Sequence, residues 1–436
     1  MSLPIISIIG RPNVGKSSLF NALSNKKSAI VSNKSGVTRD RQFTRISINQ
    51  SDIWLVDTAG LGDESDKLSS SMLRQSWAAA GQSDLVLFTV SDSLHPNDVT
   101  IIRKIQKQKT PIILLINKCD LTKHPEILLQ EFASLGVKEV QLVSATQQTG
   151  LNDLKTMIAD HMPESISIEE SDTPTISLVG KPNAGKSTLL NYYAKEERCI
   201  VSPIPGTTRD SIKIEHEHQG KMYHLIDTAG MRRKARINEE IEHYATAHTL
   251  RAIESASTII HMIDASENIA RQDFRITHLC LDMGKSVIIA INKIDLLNQK
   301  ERKLLQTDIK VALNHLPQIP IIELSAAQGR CTQKLIQLAC SLCQSHNKDY
   351  PTSMLTRILE RLVKNTAPPT RLGRPINLRM ANQSRSNPLE ITIHGKRTDY
   401  LPKSYVRYLQ NGYIRQLNLK ARIIKIKLKS DHNPYA

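Results

Sequence analysis

The chain has 436 residues, with 58 Lys and Arg against 42 Asp and Glu and six cysteines in no repeated pair. That length suits two or three domains, each with its own core, and the scattered cysteines argue against a disulfide framework or a four-ligand zinc site. The net charge of +16 points to a polyanionic partner, but it is uneven: residues 346 to 436 hold 18 Lys and Arg against 5 Asp and Glu, a net of +13, whereas the preceding residues hold 40 against 37, a net of +3.

Met1 to Pro4 leads straight into the apolar run Ile5 to Ile9 and a glycine-rich loop, so no signal peptide is expected. The longest apolar runs, Pro111 to Ile116 and Val287 to Ile291, fall far short of the roughly 20 residues that span a bilayer. A cytoplasmic monomer without membrane contact is the expectation. In the first part of the chain, Ile5 to Ile9, Ile53 to Val56, Leu85 to Val90, Ile112 to Ile116 and Val140 to Val143 read as strands separated by longer mixed segments. Ile176 to Val179, Tyr223 to Ile226, Thr258 to Ile263, Val287 to Ile291 and Ile321 to Leu324 repeat the pattern. Such alternation predicts a mostly parallel sheet with helices on both faces, and ligands bind such sheets at the carboxyl ends of the strands.

The repeat extends to the motifs at those strand ends. Gly10-Arg11-Pro12-Asn13-Val14-Gly15-Lys16-Ser17 recurs 170 residues on as Gly180-Lys181-Pro182-Asn183-Ala184-Gly185-Lys186-Ser187. The same offset carries Thr38-Arg39-Asp40 onto Thr208-Arg209-Asp210, and Asp57-Thr58-Ala59-Gly60 onto Asp227-Thr228-Ala229-Gly230. Asn117-Lys118-Cys119-Asp120 pairs with Asn292-Lys293-Ile294-Asp295, and Ser144-Ala145 with Ser325-Ala326.

A Gly-x-x-x-x-Gly-Lys-Ser loop between strand and helix offers backbone N–H groups to phosphates, because glycine permits close approach and a helix N-terminus favours anions. Lys16 and Lys186 are placed to reach the β- and γ-phosphates, Ser17 and Ser187 to coordinate Mg²⁺, and Asp57 and Asp227 to hold that ion directly or through water. The loop admits ATP as readily as GTP; the base is chosen by Asn-Lys-x-Asp. A carboxylate at Asp120 or Asp295 accepts from guanine N1–H and the exocyclic amine, and adenine leaves it unpaired. Asn117 and Asn292 can bond the other base edge, Lys118 and Lys293 can lay their stems over the ring, and the turns at Ser144-Ala145 and Ser325-Ala326 can offer backbone N–H groups. Thr38 and Thr208 are candidates to sense the γ-phosphate through Mg²⁺, and Gly60 and Gly230 to donate a backbone N–H to it. Arg39 and Arg209 read equally well as solvated arginines.

Residues 163 to 174, acidic and bracketed by prolines, read as a linker between a first domain at 1 to 162 and a second at 175 to 345. Cys340-x-x-Cys343 lies in a helix-like apolar stretch and is read as core packing. The basic remainder, 346 to 436, shows Leu355, Ile358 and Leu362 at helical spacing, alternation at Ile376, Leu378 and Met380, a strand at Ile391 and Ile393, and Val406, Leu409, Tyr413 and Leu417 on one helical face. Ile424, Ile426 and Leu428 then alternate with Lys425, Lys427 and Lys429, giving helix, strand, strand, helix, strand.

With these motifs in tandem, and with the tail Leu401-Pro402-Lys403-Ser404-Tyr405-Val406-Arg407-Tyr408-Leu409, the whole chain resembles the Der (EngA) family of bacterial GTPases of large ribosomal subunit assembly. The resemblance implies an α/β protein of two tandem P-loop GTPase domains plus a C-terminal α+β KH-like domain, with GTP or GDP and Mg²⁺ bound and the large subunit and its rRNA as partner. Leu61 and Met231 follow Asp-Thr-Ala-Gly where many regulatory GTPases carry a water-positioning glutamine, so slow intrinsic hydrolysis is expected. From the resemblance, K⁺ held partly by Asn13 and Asn183 is implied to stimulate it. The C-terminal region lacks the Gly-x-x-Gly clamp of RNA-binding KH domains, and Asn418-Leu419-Lys420-Ala421-Arg422 stands where a glycine is expected. Two rival readings remain open. One is an RNA-binding scaffold that senses nucleotide with little hydrolysis. The other is a tRNA-modification GTPase, against which the tandem copies argue.

Overall fold

All five residues of β1 (Ile5–Ile9) are buried, as a strand covered on both faces requires. The computed structural model describes residues 3–24, 43–49, 51–57, 80–81, 83–91, 93–108, 110–122, 124–162, 173–181, 183–195, 199–203, 212–227, 246–267, 274–313, 319–344, 348–371 and 374–430. The chain divides into two compact units, Met1–Glu170 with Ala235–Arg251, and Ser171–Lys234 with Ala252–Ala436. No helix among the described residues is long and apolar enough to cross a membrane.

In the first unit β1 is followed by α1 (Lys16–Leu23), β2 (Phe43–Ile48), β3 (Ser51–Asp57), β4 (Leu85–Val90), α2 (Pro96–Gln106), β5 (Ile112–Ile116), α3 (Pro125–Ala133), β6 (Glu139–Leu142) and α4 (Leu151–Asp160). The sheet order is β2-β3-β1-β4-β5-β6. All neighbours are parallel except β2 against β3. Alternate strand residues face opposite ways, which sorts the core into two layers. Ile6, Ile8, Leu85 and Leu87 pack with Leu19, Phe20, Leu154 and Ile158 of α1 and α4. Ile9, Val86 and Phe88 pack with Ile102 and Ile105 of α2 and Leu128 and Phe132 of α3. Each such fully buried side chain contributes roughly 2 kcal/mol of burial.

In the second half come β7 (Thr175–Val179), α5 (Lys186–Ala194), β8 (Cys199–Pro203), β9 (Ile212–His218), β10 (Lys221–Asp227), α6 (Thr246–Ser255), β11 (Thr258–Asp264), α7 (Arg275–Asp282), β12 (Ser286–Asn292), α8 (Gln299–Ala312), β13 (Ile321–Glu323) and α9 (Thr332–Gln344). The sheet order β13-β12-β11-β7-β10-β9-β8 repeats the first sheet strand for strand and adds β8 at the edge. The sequence pattern predicts β3 and β10 but not their antiparallel partners β2 and β9, nor the edge strand β8. The β9–β10 turn uses Gln219 (φ 52°) and Gly220 (φ 72°), both left-handed, as a two-residue hairpin turn requires. Cys340 and Cys343 are buried in α9, and burial pushes both thiols up, Cys340 to about 12 with help from Cys343, and Cys343 to about 11 against its hydrogen bond to Thr258.

The C-terminal residues form α10 (Thr352–Asn365), β14 (Thr370–Arg371), β15 (Arg374–Pro375), β16 (Asn377–Arg385), β17 (Glu390–Lys396), α11 (Lys403–Gln416) and β18 (Lys425–Ser430). The order expected from the sequence is present, with the sheet β16-β17-β18 packed on α10 and α11 through Leu355, Ile358, Ile391, Ile393, Leu409 and Tyr413. The alternation expected at Ile376, Leu378 and Met380 fails at its last member. A register shift between Leu378 and Met380 turns Ala381 inward and leaves Met380 40% exposed, the usual effect of an extra residue in one strand. Asn418 (φ 48°) and Ala421 (φ 62°) take the left-handed conformation that a glycine would adopt more cheaply. The Ala421 carbonyl then accepts from Val287 N of β12 at 2.9 Å, and Ile423 packs on the second nucleotide domain's core.

Candidate nucleotide sites at the strand ends

Each glycine-rich loop leaves the central strand of its sheet and opens a helix. Lys16 turns back over the first loop and donates to the carbonyls of Gly10 (2.9 Å) and Arg11 (2.5 Å). Lys186 does the same to Gly180 (2.8 Å) and Lys181 (2.7 Å). Burial lowers the Lys16 ammonium to about 8, against the opposing pull of Asp57. A cation held short of full solvation at a helix N-terminus is a group that a phosphate oxygen can satisfy. Asn13 (φ 66°) and Asn183 (φ 61°), each in its own loop, take the same left-handed conformation. Gly15 and Gly185 both sit at φ 93°, and a Cβ there would lie 2.2 Å from Asn117 Nδ2 and 2.0 Å from Asn292 Nδ2. Only glycine fits a loop resting so closely on the base motif.

At the start of α1, Ser17 Oγ donates to Asp57 Oδ2 at 2.8 Å, with Asp57 at the end of β3 and 3% exposed. A hydroxyl and a carboxylate brought together beside the phosphate loop are hard oxygen donors of the kind Mg²⁺ takes, so the residues present fit that ion. Ser187 occupies the same place at the start of α5. Thr38, Thr58, Ala59, Gly60, Leu61, Pro182, Thr208, Thr228, Ala229, Gly230 and Met231 lie outside the described residues, as do Arg39 and Arg209.

The base motifs are tied to the loops in the same way twice. Asn117 Nδ2 donates to Val14 O at 2.8 Å and its Oδ1 accepts from Ala145 N at 3.1 Å. Asn292 donates to Ala184 O at 2.8 Å and accepts from Ala326 N at 2.9 Å. The sequence assigns these asparagines to a base edge. Each carboxamide uses one N–H and one lone pair inside the protein, which leaves the second Nδ2–H and one lone pair on Oδ1 for a base. Ser144 and Ser325 accept, through Oγ, from the backbone N–H of Gln147 (3.1 Å) and Gln328 (3.3 Å), shaping the turns that carry Ala145 and Ala326. Cys119 and Ile294 begin the short helical turns that carry Asp120 and Asp295, and both carboxylates are exposed.

The two copies part company at the lysine. Lys118 Nζ donates to Asn13 O at 2.8 Å, bridging base motif and phosphate loop, whereas Lys293 Nζ is ion-paired with Asp264 at the end of β11. Burial pushes the Asp264 carboxyl up, but hydrogen bonds from Lys293 and Ser266 outweigh it and hold it below the usual carboxylate range. Neither Asp264 nor Asp98 belongs to a motif legible in the sequence. Asp98, fully buried in α2, receives Arg11 Nε at 2.9 and 3.0 Å, and Arg11 Nη2 donates to Ser93 O at 3.0 Å. Burial keeps the Asp98 carboxyl above its usual range despite Arg11. Arg11 thus braces the first loop against a helix 87 positions away, a separation that no local sequence signal carries.

Comparison with known proteins agrees with this geometry. Residues 5–118 and 175–293 match the family described as 50S ribosome-binding GTPase. Residues 350–429 match the C-terminal KH-domain-like family of EngA bacterial GTPase enzymes. Relatives named GTPase Der are 37% identical in Stenotrophomonas maltophilia (strain R551-3), over 99% of this chain and 94% of the relative, and 38% identical in Coxiella burnetii (strain Dugway 5J108-111), over 99% and 98%. A third, from Marinomonas sp. (strain MWYL1), is 37% identical over 100% of this chain and 99% of its own length.

Proposed function

This chain belongs to the GTPase Der family, and from that premise we propose that it hydrolyses GTP at two sites in tandem to control its association with the large ribosomal subunit during assembly in the cytoplasm. The observation that supports this reading is the duplicated tie between base motif and phosphate loop, Asn117 to Val14 and Asn292 to Ala184. In this reading Asp120 and Asp295 accept from the guanine ring, and Lys16 and Lys186 release the loop carbonyls to meet the β- and γ-phosphates. Ser17 with Asp57, and Ser187 with Asp227, hold Mg²⁺, which neutralises phosphate charge during transfer. Thr38 and Thr208 sense the γ-phosphate, and Gly60 and Gly230 donate to it.

Leu61 and Met231 cannot orient water through a side-chain amide, so hydrolysis is slow unless another charge assists. K⁺ beside Asn13 and Asn183 supplies that charge in this proposal. Phosphate release in KCl against NaCl at matched ionic strength tests it: faster release in KCl is expected, and equal rates contradict it.

The basic C-terminal domain is proposed to meet rRNA. Lys427 and Lys429 of β18 are exposed while Ile426 and Leu428 pack inward, leaving ammonium groups free to approach phosphates. Sedimentation of cell extracts with a non-hydrolysable GTP analogue or with GDP tests the partner. The chain is expected in large-subunit fractions with the analogue, and its absence from them overturns the ribosomal reading.

A further inference from the structure

The two nucleotide sites form an internal control. Lys118 and Lys293 have the same backbone conformation, φ 63° with ψ 30° and φ 63° with ψ 29°, and the asparagine before each makes the same pair of hydrogen bonds. The side chains nevertheless end on different partners. Strand register identifies the cause. β4 pairs with β1 as Ile6 with Leu85, and β11 pairs with β7 as Ile176 with Thr258. Ile6 and Ile176 are equivalent across the repeat, so Asp264 occupies the position that Ser91 holds in the first copy. Both positions are 6% exposed. A serine there carries no charge to draw the neighbouring lysine, and Lys118 reaches the Asn13 carbonyl. A carboxylate there captures Lys293.

We propose that Asp264 is a positioning residue that shortens the time the second site holds guanine nucleotide, by competing with the phosphate loop for Lys293. In the first site the lysine already spans from base motif to loop, the arrangement in which its stem covers the base. At the second site the ammonium must leave a nearly buried carboxylate to take up that arrangement, and the charge-assisted bond given up there is subtracted from nucleotide affinity. Asp264 Oδ1 also accepts from Ser266 N (2.9 Å) and Ser266 Oγ (2.7 Å), so the carboxylate stays in place whether or not the lysine is on it. The second site is thereby the faster to release GDP.

The test exchanges the two residues in the full-length chain and follows release of a fluorescent GDP analogue by stopped flow. With the first site disabled by Lys16→Ala, Asp264→Asn and Asp264→Ser are expected to slow release from the second site about fivefold, the effect of removing a partly exposed ion pair. With the second site disabled by Lys186→Ala, Ser91→Asp is expected to speed release from the first site by a similar factor. A purely structural role for Asp264 makes the opposite prediction, because a loosened β11 end releases nucleotide faster. Asp264→Asn keeps the acceptor for Ser266 and so reads the charge alone if Asp264→Ser proves unstable. Unchanged or faster release in Asp264→Asn, or no acceleration in Ser91→Asp, overturns the proposal. Failure of the unsubstituted chain to bind the analogue at all would instead sink the guanine-nucleotide reading itself.

Discussion

Asn117 donates its side-chain amide to the Val14 carbonyl at 2.8 Å, so the loop that meets phosphates and the motif that meets the base are one hydrogen-bonded unit. Asn117 is 2% exposed and its counterpart Asn292 3%, and cutting either leaves a buried carbonyl and a backbone N–H without their partner. Such a loss costs about 1–3 kcal/mol. Asn117→Ala should therefore weaken GDP binding at the first site by about tenfold to a hundredfold, and Asn292→Ala should do the same at the second only. Titration calorimetry checks this; equal affinities in the substituted and unsubstituted chains would show that the tie is dispensable.

In the proposed reading, base choice rests on a carboxylate that faces solvent in both copies, Asp120 and Asp295. Replacing either by Asn turns an acceptor into a group that also donates, which suits the O2 of xanthine in place of the guanine amine. Each substituted site should lose GTP and gain XTP in a competition assay. Retention of GTP preference in the double variant would place base recognition elsewhere.

Lys16 gives the first site a pH dependence with a definite sign. Its ammonium is lowered to about 8 before nucleotide arrives, burial being the cause, and a bound phosphate raises it again by opposite charge. Below about pH 8 the lysine is protonated in both states and affinity is flat. Above that value binding must take up a proton, so affinity falls as pH rises through about 9. Dissociation constants for the first site, measured with Lys186→Ala blocking the second, should show this decline, and a flat profile across the range contradicts it.

The motifs are legible in the sequence because their chemistry is local. A glycine-rich loop and an Asn-Lys-x-Asp turn are written in adjacent residues, and their recurrence at a fixed offset is enough to mark both sites. Strands covered on both faces, such as β1 and β4, are legible as unbroken apolar runs. β2, β8 and β9 are not, because strands at or next to a sheet edge carry polar residues among the apolar ones and adjoin segments that read as switches. The Gln219-Gly220 turn is the available signal for one of them. Met380 defeats simple alternation because a bulge interrupts its strand. The Asp98 brace and the Asp264 ion pair join residues distant in sequence, and only strand register shows that Ser91 and Asp264 are equivalent.

Exposed lysines on β18 give the proposed RNA contact a quantitative signature. Lys427 and Lys429 stand on the open face of the sheet and Lys425 is half-buried. Changing all of these to Gln should weaken large-subunit binding and lower the slope of log affinity against log salt by about 1 for each phosphate that is no longer neutralised. A wild-type slope with a folded domain would assign the RNA-binding role to another surface.

Two working guanine-nucleotide sites on one chain are tested most directly by equilibrium dialysis of the purified protein against labelled GDP. Two GDP should bind per chain, one after Lys16→Ala or Lys186→Ala, and none after both, with ATP unable to compete. A stoichiometry of one in the unsubstituted chain, or displacement of GDP by ATP, would contradict the tandem-site reading.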